Sequence, residues 1–287
     1  MKNKIKIFTA PALALTALLC VLRPICMATS YDLSARYFER GVLPVLHTLL
    51  YVIGIIGCFV PLLLLPKDSI VCKKSPERSG SVFAMVSAAV FMICGILLAL
   101  YAARNNMKLE LIAGFSAILS ALFFFFASMS HHPAWSSTTD SACPWLCIPT
   151  MATLILLLAS AYFDMTTTIN GPFTTLFLFS ALFGTVFFLC EMRAYIGRPA
   201  TRLHFTAALA TAFLAVSSSV GNLVFCWFVT NGAERTASNP LRHLLILAVG
   251  LYAIARLSCF CVNTPVKSDD SGDNDPTNHS ENQQFEK

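Results

Sequence analysis

Ser217, Ser218, Ser219, Gly221 and Asn222 form the most polar run inside any long apolar stretch of this 287-residue chain. Ala208, Ala212, Ala215, Ser219 and Asn222 recur at three- and four-residue steps, so on a helix they share one face. Small residues at that spacing let two backbones approach, and an Asn among them can hydrogen-bond to a neighbouring helix. Helix packing is the first reading of this stripe. The second is a polar cavity for a neutral or weakly polar ligand, with Ser218, Ser219 and Asn222 as its hydrogen-bonding groups.

Ionisable side chains within apolar runs mark ion paths and proton relays, because charge is costly in lipid. Here they are few. His47 lies early in one run, Glu191 and Arg193 close another, and Arg256 lies near the end of the last, where its stem can reach the headgroups. No acid falls in the middle of a run, which disfavours an ion-coupled transporter. The segment HHPAWSSTTDSACPWLC supplies His131, His132, Asp140, Cys143 and Cys147, all of them residue types that bind zinc. Adjacent His residues with a C-x3-C are not a zinc spacing, however, and Pro144 with Trp145 suits a segment re-entering the membrane interface. No metal or other cofactor is expected. Neither H-E-x-x-H, G-x-S-x-G nor a Walker loop occurs. The acids and bases are too sparse to converge at one depth, so no enzyme is expected either.

The elements that must position these residues are dictated by composition. The chain is 56% hydrophobic and only 12% charged, with a mean hydropathy of +0.68; soluble domains carry about 25% charged residues. Apolar runs reach the roughly 20 residues that cross a bilayer core. Spans are expected at about 5–22, 42–65, 81–103, 111–130, 146–163, 173–192, 204–229 and 241–260. All must be helices, because lipid leaves no partner for an open strand edge and nothing alternates as a barrel strand would. The fold class is therefore all-α: a polytopic transmembrane bundle of about eight spans over residues 1–264. The lipid bilayer is its first partner, a membrane protein a conceivable second. The net charge of +5 lacks the basic stripe that nucleic acid would need.

Topology follows from Lys and Arg. With the N-terminus in the cytoplasm, 13 of the 20 basic residues fall inside and 7 outside, which favours both termini in the cytoplasm of a cell-membrane protein. The loop 131–145, inside on this reading, carries no Lys or Arg. The first span, with its basic MKNKIKIF leader, could instead be a cleaved signal peptide. Of the eleven cysteines, only Cys26 is expected in an outer loop, so no disulfide framework follows. Residues 265–287 are polar and acidic, and too poor in apolar side chains to order themselves. They read as a disordered cytoplasmic tail.

A Tyr-Phe-acid triplet occurs twice, Tyr37-Phe38-Glu39 and Tyr162-Phe163-Asp164, each time closing one apolar run before a Pro opens the next. Two readings are open. One is a duplication, with residues 5–130 and 146–260 as parallel four-helix repeats and the two acids at equivalent outer corners, where they could also share a cation. The other is ordinary interface chemistry: Tyr at headgroup depth, and an acid favoured by the positive end of the following helix. The second copy, YFDMTTTINGPF with EMRAYIGRP, resembles uncharacterised multi-pass membrane proteins of clostridial-type bacteria, chiefly over residues 155–205. That resemblance implies a bacterial inner-membrane location and carries no activity. The functional expectation is a non-catalytic binding, sensing or accessory membrane component; the alternative is a transporter of a neutral or hydrophobic solute.

Overall fold

Backbone N–H and C=O groups find no partner in lipid, so each apolar run must satisfy its own as a helix. In a computed structural model the described residues are 3–32, 37–66, 70–72, 78–130, 132–163, 171–229 and 240–262. Eight helices carry them: α1 (Asn3–Ser30), α2 (Val42–Leu64), α3 (Arg78–Arg104), α4 (Lys108–Met129), α5 (Pro133–Phe163), α6 (Pro172–Tyr195), α7 (Thr201–Val224) and α8 (Pro240–Leu257). Each contains a span long and apolar enough to cross a membrane. A π-helical turn, Phe225–Val229, extends α7. Two short antiparallel pairs cover opposite ends of the bundle. β1 (Tyr31–Asp32) pairs with β2 (Tyr37–Phe38), and β3 (Ile70–Cys72) pairs with β4 (Phe260–Val262) in the register Cys72↔Phe260.

Stop signals in the sequence explain the turns. Asn106 (φ 56°) and Gly197 (φ 83°) take the left-handed conformation just after α3 and α6, where helices commonly end. Gly171 precedes Pro172, whose missing N–H costs nothing at a first helical position. Small residues then set the closest packing. At the α3–α4 crossing, Gly95 and Gly114 lie so close that a Cβ on Gly114 would sit 2.7 Å from the Ala99 backbone nitrogen. Ala99, Ala102, Ala113, Ala117 and Ala121 are buried along these two helices.

The centre of the bundle is α7, which packs against α1, α2, α6 and α8. Of its apolar window 78% is buried, against 17% for α1. The expected small face of α7 is therefore not a separate face: Ala207, outside the stripe, is as enclosed as Ala208 and Ala212. Two boundaries also differ from the sequence reading. Helix α1 continues past residue 22 to Ser30, carrying Arg23 and Cys26 into the protein as fully buried residues rather than loop residues. Pro24 ends nothing there, since a helical interior tolerates Pro when neighbouring helices surround it. Likewise α5 starts at Pro133, so most of the expected 131–145 loop is helix and Cys143 is buried.

The two triplets have unlike settings. Tyr37 and Phe38 form β2, whereas Tyr162 and Phe163 are the last residues of α5. Packing differs too: α6 lies along α7, while α2 packs on α1 and α7 and has no comparable interface with α3. The tail 265–287 lies outside the described residues.

Candidate functional site

Arg23 enters the bundle from the last third of α1 with no exposed surface. Its Nε and Nη2 both donate to Asn222 Oδ1 on α7, at 2.9 and 2.8 Å, and its Nη1 lies 3.4 Å from His47 Nε2 on α2. A guanidinium can only donate, so His47 Nε2 accepts and the ring carries its hydrogen on Nδ1. With Oδ1 occupied as an acceptor, Asn222 turns its Nδ2 donor to His243 Nε2 on α8, at 3.5 Å. His243 is then also an Nδ1–H tautomer, and both imidazoles are neutral. One cation thus orders side chains from four helices. Tyr51 and Phe173 flank the guanidinium at 5.8 and 6.0 Å, close enough for cation–π attraction. Above it Tyr31 of β1 packs edge-on against Phe173 and Phe225. Gly221 is required here: a Cβ would meet Arg23 Cδ at 2.5 Å.

From this centre buried hydroxyl side chains of α7 continue along the helix, one bonding within it and one to α6. Ser217 Oγ donates to the Phe213 carbonyl at 2.6 Å, and Ser218 Oγ lies 3.1 Å from Ser180 Oγ on α6. Ser219 Oγ is buried and has no hydrogen-bond partner among the described residues.

A second charged centre occupies the other end of α7. Arg256 of α8 donates through Nε to Glu191 Oε1 of α6, and through Nη2 to Cys72 Sγ of β3 at 3.4 Å. His204 of α7 places Nε2 3.2 Å from the same carboxylate oxygen. Glu191, Arg256 and His204 are at most 1% exposed. Phe187 and Phe260 close over His204 with ring centroids at 5.6 and 5.1 Å. Burial pushes the Cys72 thiol up to about 12, against the opposing pull of Arg256, so it stays a thiol. Breaking one partner of such a buried pair leaves a charge uncompensated in the interior, which is strongly destabilising.

The expected site residues separate. Ser218 and Asn222 belong to the α7 seam and the Arg23 centre; Ser219 lies beside them on α7. Glu39 does not join them: it is exposed, its backbone N–H bonds to the Ser30 carbonyl at 2.7 Å, and it lines an open groove with Arg40, Pro44, Val45 and Leu49. Asp164 lies outside the described residues. Among the described residues, no group of three or more His, Cys, Asp or Glu side chains is arranged to hold a metal ion. Arg23, Glu110, Arg242 and His243 were not anticipated as interior groups. The available signal was position, since Arg23 continues an apolar run and Arg242 and His243 open one.

No family model matches the chain, nor does any curated protein or solved structure.

Proposed function

We propose that this chain is a non-catalytic, multi-pass component of a bacterial cell membrane that binds, senses or assists a membrane-protein partner, with both termini in the cytoplasm. The observation that carries the reading is the filled interior around α7. The Phe213 ring occupies the space over Gly54 so fully that a Cβ there would lie 2.1 Å from Cζ, and Gly250 is backed by Val216 and Ala215 at 2.8 and 3.0 Å. The charged groups at each end of α7 are committed to one another rather than to an open path. Among the described residues, packing this tight around α7, with ties at both its ends, suits a receptor or an accessory subunit.

A transporter of a neutral or hydrophobic solute would instead need the Ser217–Asn222 face of α7 to be reached from one side of the membrane. The test is accessibility. In a chain freed of its native cysteines, Ser218→Cys and Ser219→Cys should resist a membrane-impermeant maleimide from either side and react after denaturation. Labelling from one side, with protection by a solute, would replace this reading with transport. A phosphatase reporter fused at the C-terminus should be inactive; periplasmic activity would reverse the orientation.

A further inference from the structure

Glu110 is the third residue of α4 and, like Arg256 and Arg23, is inside the protein, at 1% exposure. Ser160 Oγ of α5 donates to its Oε1 at 3.2 Å, and Arg242 Nη2 of α8 donates to the same oxygen. Both donors thus converge on one oxygen, and Glu110 Oε2 has no hydrogen-bond partner among the described residues. These three buried side chains line a cleft of about 440 Å³ together with Asn106, Lys108 and Phe163. Lys108 is exposed and Phe163 is 65% exposed.

We propose that this cleft binds a phosphoethanolamine group, with its primary ammonium on Glu110 Oε2 and its phosphate at Lys108 and the start of α4. A buried carboxylate oxygen without a donor is costly, so its ligand must bring N–H or O–H. Arg242 already balances the Glu110 charge. A lone ammonium would therefore add an unmatched positive charge, and a ligand carrying its own anion next to the ammonium does not. The anion finds two partners at the rim. Lys108 is one. The other is the N-terminus of the 22-residue helix α4, whose N-cap residue Met107 makes no side-chain capping bond, leaving helical N–H groups for an anion. Depth points to the source. Lys108 is the first residue of its span and Phe163 the last of its own, so the cleft lies at the headgroup level of one leaflet, with the Phe163 ring beside the glycerol and acyl chains. Phosphatidylethanolamine fits this arrangement. Phosphatidylcholine has the same charges but no ammonium N–H to give Glu110.

The experiment uses the full chain, delipidated in mild detergent, with melting temperature and native mass spectrometry as readouts. Phosphatidylethanolamine should raise the melting temperature and remain bound. Phosphatidylcholine with identical acyl chains should bind roughly tenfold more weakly, the scale of one charge-assisted hydrogen bond. Lys108→Glu, a surface change, should weaken both lipids, since each presents a phosphate there, without lowering the lipid-free melting temperature. Glu110→Gln should abolish the preference for phosphatidylethanolamine; because it can also weaken the fold, the comparison of the two lipids on the unaltered chain and Lys108→Glu keep the test decisive. Soluble phosphoethanolamine stabilising as strongly as the lipid would support the site and assign it to a free solute. Equal binding of the two lipids, or binding of both left unchanged by Lys108→Glu, would overturn the proposal.

Discussion

Replacing Gly114 by Ala should separate the two helices that pack most closely in this protein. The new Cβ would lie 2.7 Å from Ala99 N, 2.9 Å from Ala99 Cβ and 2.9 Å from the Gly95 carbonyl oxygen. None of these atoms ends a flexible side chain, so relief must come from movement of α3 against α4. Ordinary contact begins at 3.4 Å, and a gap of about 0.7 Å opened along a packed seam forfeits roughly a quarter to a half of each contact's attraction. Because Ala99, Ala102, Ala113, Ala117 and Ala121 are all buried on these helices, the loss spreads over several turns. Overpacking of this kind costs about 1–3 kcal/mol. Gly57→Ala on α2 is the matched control: its Cβ would meet nothing within 4 Å, and Ala is favoured over Gly inside a helix by roughly 0.5–1 kcal/mol. The two substitutions should therefore have opposite signs. Most of the free cysteines, such as Cys58, Cys94 and Cys147, are buried, so a thiol-reactive dye reports unfolding in detergent as temperature rises. Gly114→Ala should melt lower than the parent, and Gly57→Ala at or above it. Equal shifts, or an unshifted Gly114→Ala, would refute the close-approach argument.

Single replacements Glu191→Leu and Arg256→Leu should each cost about 3–5 kcal/mol, and the double replacement far less than their sum, since the penalty is the charge left behind; denaturant unfolding of the four proteins measures the coupling. Gly221→Ala should displace the Arg23 stem from the Asn222 carbonyl and lower the melting temperature. The same change in an Arg23→Ala background should matter much less, and equal effects in both would remove Arg23 from contact with α7. For Cys72, the folded thiol is raised from 9.0 to about 12 by burial. Its contribution to stability is thus complete below pH 9 and is lost as pH climbs toward 12. Alkylation of Cys72 in the folded protein should accordingly stay slow at pH 8–9, and rapid alkylation there would place the thiol in water.

The spans were legible because the constraint behind them is long and needs no partner: some 20 apolar residues with their own hydrogen bonds. Boundaries failed where one residue type has two meanings. Arg23 followed by Pro24 after an apolar run reads as an exit from lipid, yet Asn222, 199 positions away, makes it an interior residue. Glu110 finds Arg242 across 132 positions and Glu191 finds Arg256 across 65. No local spacing encodes such pairs, so polar residues near helix ends were read as boundary groups when they are the ties between helices. The stripe on α7 was legible as packing but not as a face, because a central helix is enclosed on every side and only its neighbours define direction. The small-residue steps Gly95–Ala99 and Gly114–Ala117–Ala121 carry the same signal on α3 and α4, and there it coincides with the closest backbone approach.

Where the polar groups lie along α7 bears on how the protein works. His204 in its first turn faces Glu191 and Arg256, and Asn222 near its last faces Arg23 and His243. Between them the buried polar side chains of α7 are hydroxyls, and Ser217 gives its proton to a carbonyl of its own helix. A rocking mechanism that opened one end would have to strip a buried arginine of its partner, a change in the range of several kcal/mol. Motion of α7 along its own axis would strain both centres together. The arrangement thus favours a helix held at both ends, through which a change at one charged centre is felt as load at the other. Arg23→Ala provides the measurement: in a coupled bundle it should speed hydrogen exchange around His204 and Arg256 as well as around Asn222, and exchange changed only near Asn222 would mean the two ends act separately.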